Sequence, residues 1–169
     1  MKFVRNSREG IRLLETEGQV EAKLKKLDIR LVSPSKPSGN YVPYTMAPPF
    51  IYMSGVTPKV DGVLQYKGKV GLDLSKEEGY QAARQCIINQ LCALKAVLGD
   101  LDRVAGIVKM EGFIQAAPDF YELPYVLNGA SDLLVEAFGE KGVHARSAIG
   151  VAALPGSAAV EVELIVRYE

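Results

Sequence analysis

The sequence predicts a two-layer α+β domain, one layer of helices packed on one sheet. Three observations predict it. Two segments, 75–98 and 124–138, repeat apolar residues at three- and four-residue steps and carry helix start and stop signals. Around them lie apolar stretches of strand length, bounded by glycine and proline. The order is strands, long helix, strand, helix, strand, strand, which suits helices gathered on one side of a sheet. With 169 residues, 48% of them apolar, the chain is long enough for one hydrophobic core.

The elements follow in order. Residues 18–27 form a short amphipathic helix with Val20, Leu24 and Leu27 on one face. Ser33 to Gly39 is a loop rich in turn residues. Residues 1–38 are therefore expected to be an extension, and residues 39–169 the domain proper. Phe50 to Gly55 reads as the first buried strand. Residues 56–72 hold Gly62, Gly68 and Gly71 and suit a loop or weak hairpin near Leu64 to Tyr66. Ser75-Lys76-Glu77-Glu78 is a capping box. The helix it starts carries Ala83, Ile87, Leu91, Leu94 and Leu98 as a core-facing stripe and ends at Gly99. Val104 to Phe113 is a mostly apolar strand bearing Lys109 and Glu111. Pro124 suits the first turn of a second helix, which runs to Phe138 and stops at Gly139. The chain then reads as a strand, a tight turn at Leu154-Pro155-Gly156, and an antiparallel return strand through Val160 to Glu163.

Composition narrows the function. Lys and Arg total 20 and Asp and Glu total 20, so no basic excess is present to neutralise a phosphate backbone. Near-zero net charge favours self-association. Cys86 and Cys92 lie six apart on different faces of one helix and cannot bridge each other. They read as buried small hydrophobes in a reducing compartment. One histidine and no Cys-x-x-Cys pair argue against a structural zinc site. No signal-peptide apolar region and no membrane-length stretch are present, so a soluble cytoplasmic protein is expected, or a mitochondrial one in a eukaryote, without a clear targeting peptide. Walker, dinucleotide-binding, nucleophile-elbow and His-Glu-x-x-His signatures are all missing.

The chemistry-bearing residues gather near the end of the chain. Arg146 stands among small and apolar neighbours (Ala145, Ala148, Ile149, Val151), where a charge needs a partner or a cavity. Glu161 and Glu163 share one face of the last strand, opposite Val160 and Val162. An arginine on a strand with a glutamate on the neighbouring strand suits a small carboxylic acid. The guanidinium fork matches a carboxylate, and the glutamate can orient or deprotonate water. The plainer alternatives are a structural pair between Arg146 and Glu161 or Glu163, or charges that only face solvent. Tyr41, in Asn40-Tyr41-Val42-Pro43-Tyr44, can line a pocket or pack on a loop. Gly55 permits close approach of the backbone to a ligand, or serves a turn. Asn128-Gly129 costs helix propensity and asks for a packing or site explanation. His144, two positions before Arg146, faces the same side of an extended strand.

These residues resemble the Rid, or YjgF-like, family of enamine/imine deaminases. The likeness rests on Gly39-Asn40-Tyr41, Ile51-Tyr52-Met53-Ser54-Gly55, Asn128, Ala145-Arg146-Ser147, and Leu154-Pro155-Gly156 followed by Val160-Glu161-Val162-Glu163. It covers roughly residues 39–168, and Arg146 and Glu161 stand fifteen positions apart. The resemblance implies a chorismate-mutase-like two-layer subunit, with helices on a mixed, mainly antiparallel sheet, assembled as a homotrimer with sites in clefts between subunits. It implies that Arg146 grips the substrate carboxylate and that Glu161 stands by the attacking water. It also implies that Tyr41, Gly55, Asn128, Ser147 and Ala148 contact the substrate. The reaction would convert a 2-imino acid, formed from an enamine, to a 2-keto acid and ammonia, without metal or organic cofactor. A non-catalytic trimer binding small carboxylates in the same cleft is the alternative, and nucleic-acid cleavage a third, which the neutral charge disfavours. The chain departs from the usual pattern in its extra N-terminal segment, in residues 138–144, in His144 for a common proline, and in Ala148 for a common cysteine.

Overall fold

The computed structural model describes residues 18–34 and 39–169. Their order is α1 (Gln19–Lys26), β1 (Tyr44–Ala47), β2 (Phe50–Val56), β3 (Lys59–Val60), β4 (Val63–Leu64), α2 (Lys76–Leu98), β5 (Val104–Gln115), α3 (Leu123–Phe138), β6 (Ala145–Val151) and β7 (Val160–Tyr168). One sheet runs β1-β2-β7-β5-β6, and β3 and β4 form a separate hairpin. Every neighbouring pair in the main sheet is antiparallel except β5 and β6. The expected α+β class, with helices on a mixed and mainly antiparallel sheet, is what the chain forms.

The two long helices follow from local chemistry. Ser75 Oγ accepts from the Glu78 backbone N–H at 3.2 Å, and Glu78 Oε2 accepts from the Ser75 N–H at 2.8 Å, closing the box. Ala83, Ile87, Leu91 and Leu94 are fully buried against the sheet. Gly99, at φ 75°, ends α2 in the left-handed region, and Pro124 opens α3. Gly129 explains the unfavourable mid-helix pair: a Cβ there would run into the Tyr80 carbonyl of α2, so its absence lets the helices pack closely. Along β7, Val160, Val162, Leu164 and Val166 are buried under the helices, while Glu161 and Glu163 occupy the open face. That face also carries Tyr52, Phe113, Ile149 and Ile165, with Tyr52 48% and Ile149 42% exposed.

Three expectations change. First, β2 is preceded by β1, joined to it through Pro48-Pro49; the paired register runs Tyr44 to Met53 through Ala47 to Phe50. The weak hairpin turns at Asp61-Gly62, where φ values of 50° and 79° fit a two-residue turn. Second, Leu27 caps α1 and is 39% exposed, whereas Val20 and Leu24 are buried as expected.

Third, β6 and β7 are not a hairpin. β5 lies between them, parallel to β6 and antiparallel to β7. The unit β5-α3-β6 is a helical crossover, which sets β6 beside β5 in parallel. Residues 152–159 must then span a strand, about 10 Å at two interstrand spacings. Gln115 holds this connection: its Oε1 accepts from Leu154 N–H at 2.9 Å and its Nε2 donates to Ser157 Oγ at 3.2 Å. Glu161 is therefore two strands from Arg146, not on the neighbouring strand.

Helix α1 is seated on the domain. Asp102 accepts from the backbone N–H of Gln19 and Val20 at 2.8 and 2.9 Å, and Glu21 pairs with Lys95 at 2.5 Å. The segment after it packs Ile29 and Leu31 against the core. Residues 1–17 and 35–38 of the expected extension lie outside the described residues. Cys86 and Cys92 are buried free thiols. Among the described residues no helix is long and apolar enough to cross a membrane.

Candidate functional site

A cavity of about 620 Å³ opens between the end of β2, the β3–β4 hairpin and α2, and Tyr41, Gly55, Gln90 and Glu161 line it. The sheet makes room for it. The register between β2 and β7 slips between Met53 and Val56, so the ladder is interrupted at Ser54-Gly55. Gln90, fully buried on α2, bridges this gap: its Nε2 donates to the Ser54 and Val162 carbonyls at 3.0 and 2.9 Å. A Cβ at Gly55 would overlap the Glu161 carboxylate, so this position has to be glycine for the acid to lie where it does. Ser54 also donates Oγ–H to the Val42 carbonyl at 2.7 Å and N–H to the Pro43 carbonyl at 2.9 Å, which holds the Tyr41 segment at the cavity.

Burial, and then the charge of Glu163, push the Glu161 carboxyl above the usual glutamate value. Glu163 is raised in turn by burial and by Glu111. Among the described residues no cation lies within 4.0 Å of Glu161. A half-buried carboxyl of this kind is suited to taking and giving a proton.

The second group of residues is at the far edge of the sheet. Arg146 pairs in register with Met110, which is buried under the helices, and its guanidinium reaches α3. Nη1 donates to Ser131 Oγ at 2.9 Å and Nη2 to the Pro124 carbonyl at 3.2 Å. Neither Glu161 nor Glu163 is its partner, so the structural ion pair is not formed. Asn128 lies on α3 between Pro124 and Ser131, at i, i+4 and i+7 spacing, and so on the face toward Arg146. Its side chain makes no hydrogen bond among the described residues. Ala148 is on the same side as Arg146, packed on the core. Ser147 points to the other face, where its Oγ accepts from Lys109 Nζ at 2.9 Å. His144 does share the side of Arg146, and both reach Ser131.

The structure thus brings Tyr41, Gly55 and Glu161 together, and separately brings Arg146, Asn128 and Ala148 together. Within one chain the two sets do not meet. Glu161 registers with Phe113 on the open face and Arg146 with Met110 on the covered face, with β5 between them. Gln90 and Ser131 went unrecognised in the sequence. Gln90 did leave a signal, a polar residue beside Ile87 and Leu91 in the core stripe. Among the described residues one carboxylate cluster, Glu21, Asp100 and Asp102, brings three candidate metal ligands together. It lies outside the cavity, and its oxygens already cap α1, pair with Lys95 and accept from Asp102 N–H.

Comparisons with known proteins agree with this architecture. The family described as "YjgF/chorismate mutase-like, putative endoribonuclease" matches residues 21–167. Protein TCP17 of Trypanosoma cruzi is 45% identical over 151 residues, covering 89% of this chain and 94% of that protein. The crystal structure of Atu1372 from Agrobacterium tumefaciens, of unknown function, is 38% identical with a TM-score of 0.84, covering 89% of this chain and 92% of that one. RidA from an Antarctic Psychrobacter is 26% identical with a TM-score of 0.55, covering 80% and 93%.

Proposed function

The chain belongs to the Rid/YjgF, chorismate-mutase-like family, and on that premise we propose that it hydrolyses small 2-imino acids in clefts between the subunits of a homotrimer. The observation that carries this reading is the division of the site. One chain holds Arg146 and Glu161 on opposite faces of its sheet, and a neighbouring copy can set one chain's Arg146 edge against the other's Glu161 cavity. Exposed apolar side chains on the open face, Tyr52 and Ile149 among its charged residues, support burial between copies.

In this cleft Arg146 grips the substrate carboxylate with the guanidinium donors that Ser131 and Pro124 leave free, and Asn128 lies beside it. Tyr41 and the Gly55 backbone line the imine end. Ala148 shapes the wall, and Ser147, whose hydroxyl is taken by Lys109, contributes backbone only. Glu161 accepts a proton from water as the oxygen adds to the C=N carbon. That proton then passes from Glu161 to nitrogen. Glu161 takes the carbinol hydroxyl proton as the C–N bond breaks and the C=O bond forms, and a keto acid and ammonia leave, the ammonia carrying the proton away as ammonium. An iminium carbon is already electrophilic, so orientation and one base suffice and no cofactor is required. We assign the catalytic unit to residues 39–169, with residues 1–38 as an extension that adds α1 and brings Pro34 to the cavity wall. The free thiols fit a cytoplasmic setting.

Ammonia and keto-acid release from freshly generated imino acids, in wild type and Arg146→Ala, tests the reading. Acceleration that disappears in the variant is the expected result. A trimer that binds small carboxylates through Arg146 without accelerating any donor would replace it with a non-catalytic role.

A further inference from the structure

Arg146 is held by more than its own strand. His144 Nδ1 lies 2.6 Å from the Gly142 carbonyl oxygen, and Nε2 lies 3.1 Å from Ser131 Oγ. A carbonyl can only accept, so Nδ1 carries the proton. In the neutral ring Nε2 is then an acceptor, and the Ser131 hydroxyl donates to it. That leaves the Ser131 lone pairs toward Arg146 Nη1, which donates at 2.9 Å. The four groups form a one-way chain from guanidinium to hydroxyl to imidazole to carbonyl, with each donor matched to an acceptor. The second tie, Nη2 to the Pro124 carbonyl at 3.2 Å, comes from the start of the same helix. A guanidinium has five N–H donors, and these ties use two.

We infer that Ser131 and His144 are positioning residues that hold the Arg146 guanidinium in place for a ligand carboxylate. The inference rests on the proposed role of Arg146 as that grip. Arginine is a long side chain whose ordering opposes binding, and a guanidinium already ordered by α3 leaves less to be ordered when the ligand arrives. Dipoles aligned along the chain reinforce one another. The carboxylate does not change charge during imine hydrolysis, so its grip acts equally on bound substrate and transition state. Loosening the grip should therefore raise KM and leave kcat nearly unchanged.

The experiment compares steady-state kinetics for Ser131→Ala, Ser131→Thr, His144→Phe and His144→Gln with wild type, using one imino acid made in situ, and records thermal midpoints alongside. Ser131→Ala should raise KM about tenfold with kcat within about twofold, and Ser131→Thr, which keeps the hydroxyl, should restore KM. His144→Phe should raise KM by about threefold, and His144→Gln, whose Oε1 can accept where Nε2 does, should recover most of it. Nitrogen NMR of the single histidine gives a readout independent of activity: the Nδ1–H tautomer is expected in wild type and should lose population in Ser131→Ala. An active wild type with unchanged KM in Ser131→Ala would overturn the inference and leave the proposed function standing, as would an equal KM increase in Ser131→Thr. A wild type that neither turns over an imino acid nor binds pyruvate in calorimetry would overturn both.

Discussion

The Arg146 edge and the Glu161 cavity are built from the same sheet but leave their charges in opposite states. Arg146 has two fixed oxygen partners from α3, with His144 behind one of them. Glu161 has no cation within 4.0 Å among the described residues, is half-buried, and stands beside Glu163. A cation whose geometry is settled before a ligand arrives suits gripping. A desolvated carboxylate without a counter-charge suits moving a proton. The contrast teaches that the division of labour in the proposed reaction follows from how each group is solvated and bonded in the fold.

Exchanging the charge states should break the contrast most strongly at Glu161. Glu161→Gln removes the base, and imine hydrolysis should fall by about 100- to 1,000-fold. The same change should stabilise the protein at neutral pH. The folded-state pKa of Glu161 lies above its unfolded value near 4.5, so between these values the folded state binds more protons. Stability from this group therefore falls as pH rises through that window, and the wild type carries the cost above it. Thermal melts should show Glu161→Gln above wild type at pH 7, with the gap closing as pH drops below 4.5. A variant less stable than wild type at pH 7 would count against a desolvated, unpaired carboxylate.

Next in size is the grip. Arg146→Ala should lower kcat/KM by about 100-fold, roughly 2.7 kcal/mol, and Arg146→Lys should recover little, because an ammonium lacks the planar fork. Gly55→Ala should cost about tenfold in kcat/KM, since its Cβ must displace the Glu161 carboxylate; kinetics matching wild type would show that the acid can work from elsewhere. The smallest effect sharpens the contrast from outside both regions. Ser75→Ala opens the capping box of α2 and should lower stability by about 1 kcal/mol in denaturant unfolding, with kinetics unchanged.

Helices α2 and α3 were legible in the sequence because their signals are local: Ser75 with Glu78, Pro124, Gly99 and Gly139, and apolar residues at helical spacing. The burial alternation of β7 was legible for the same reason. Strand order was not. Leu154-Pro155-Gly156 has the composition of a hairpin turn, and nothing within a few residues of it reveals that β5 lies between β6 and β7. That one nonlocal fact moved Glu161 away from Arg146. The individual site candidates were visible as residue types, but their division into two sets depends on register with β5, which pairs Arg146 with Met110 and Glu161 with Phe113. Ser131 carries no local signal in the sequence, because its partners lie thirteen and fifteen positions away in the chain.

The proposed site takes Arg146 from one subunit and Glu161 from another. Co-expressing Arg146→Ala chains with Glu161→Gln chains tests it directly. Each mixed trimer would contain one cleft, about a third of its total, in which both native residues meet. At equal expression, random mixing should then restore about a quarter of wild-type activity from two nearly inactive variants. A mixture no more active than its separate components, measured beside an active wild-type trimer, would contradict the account and place both residues' work within a single chain.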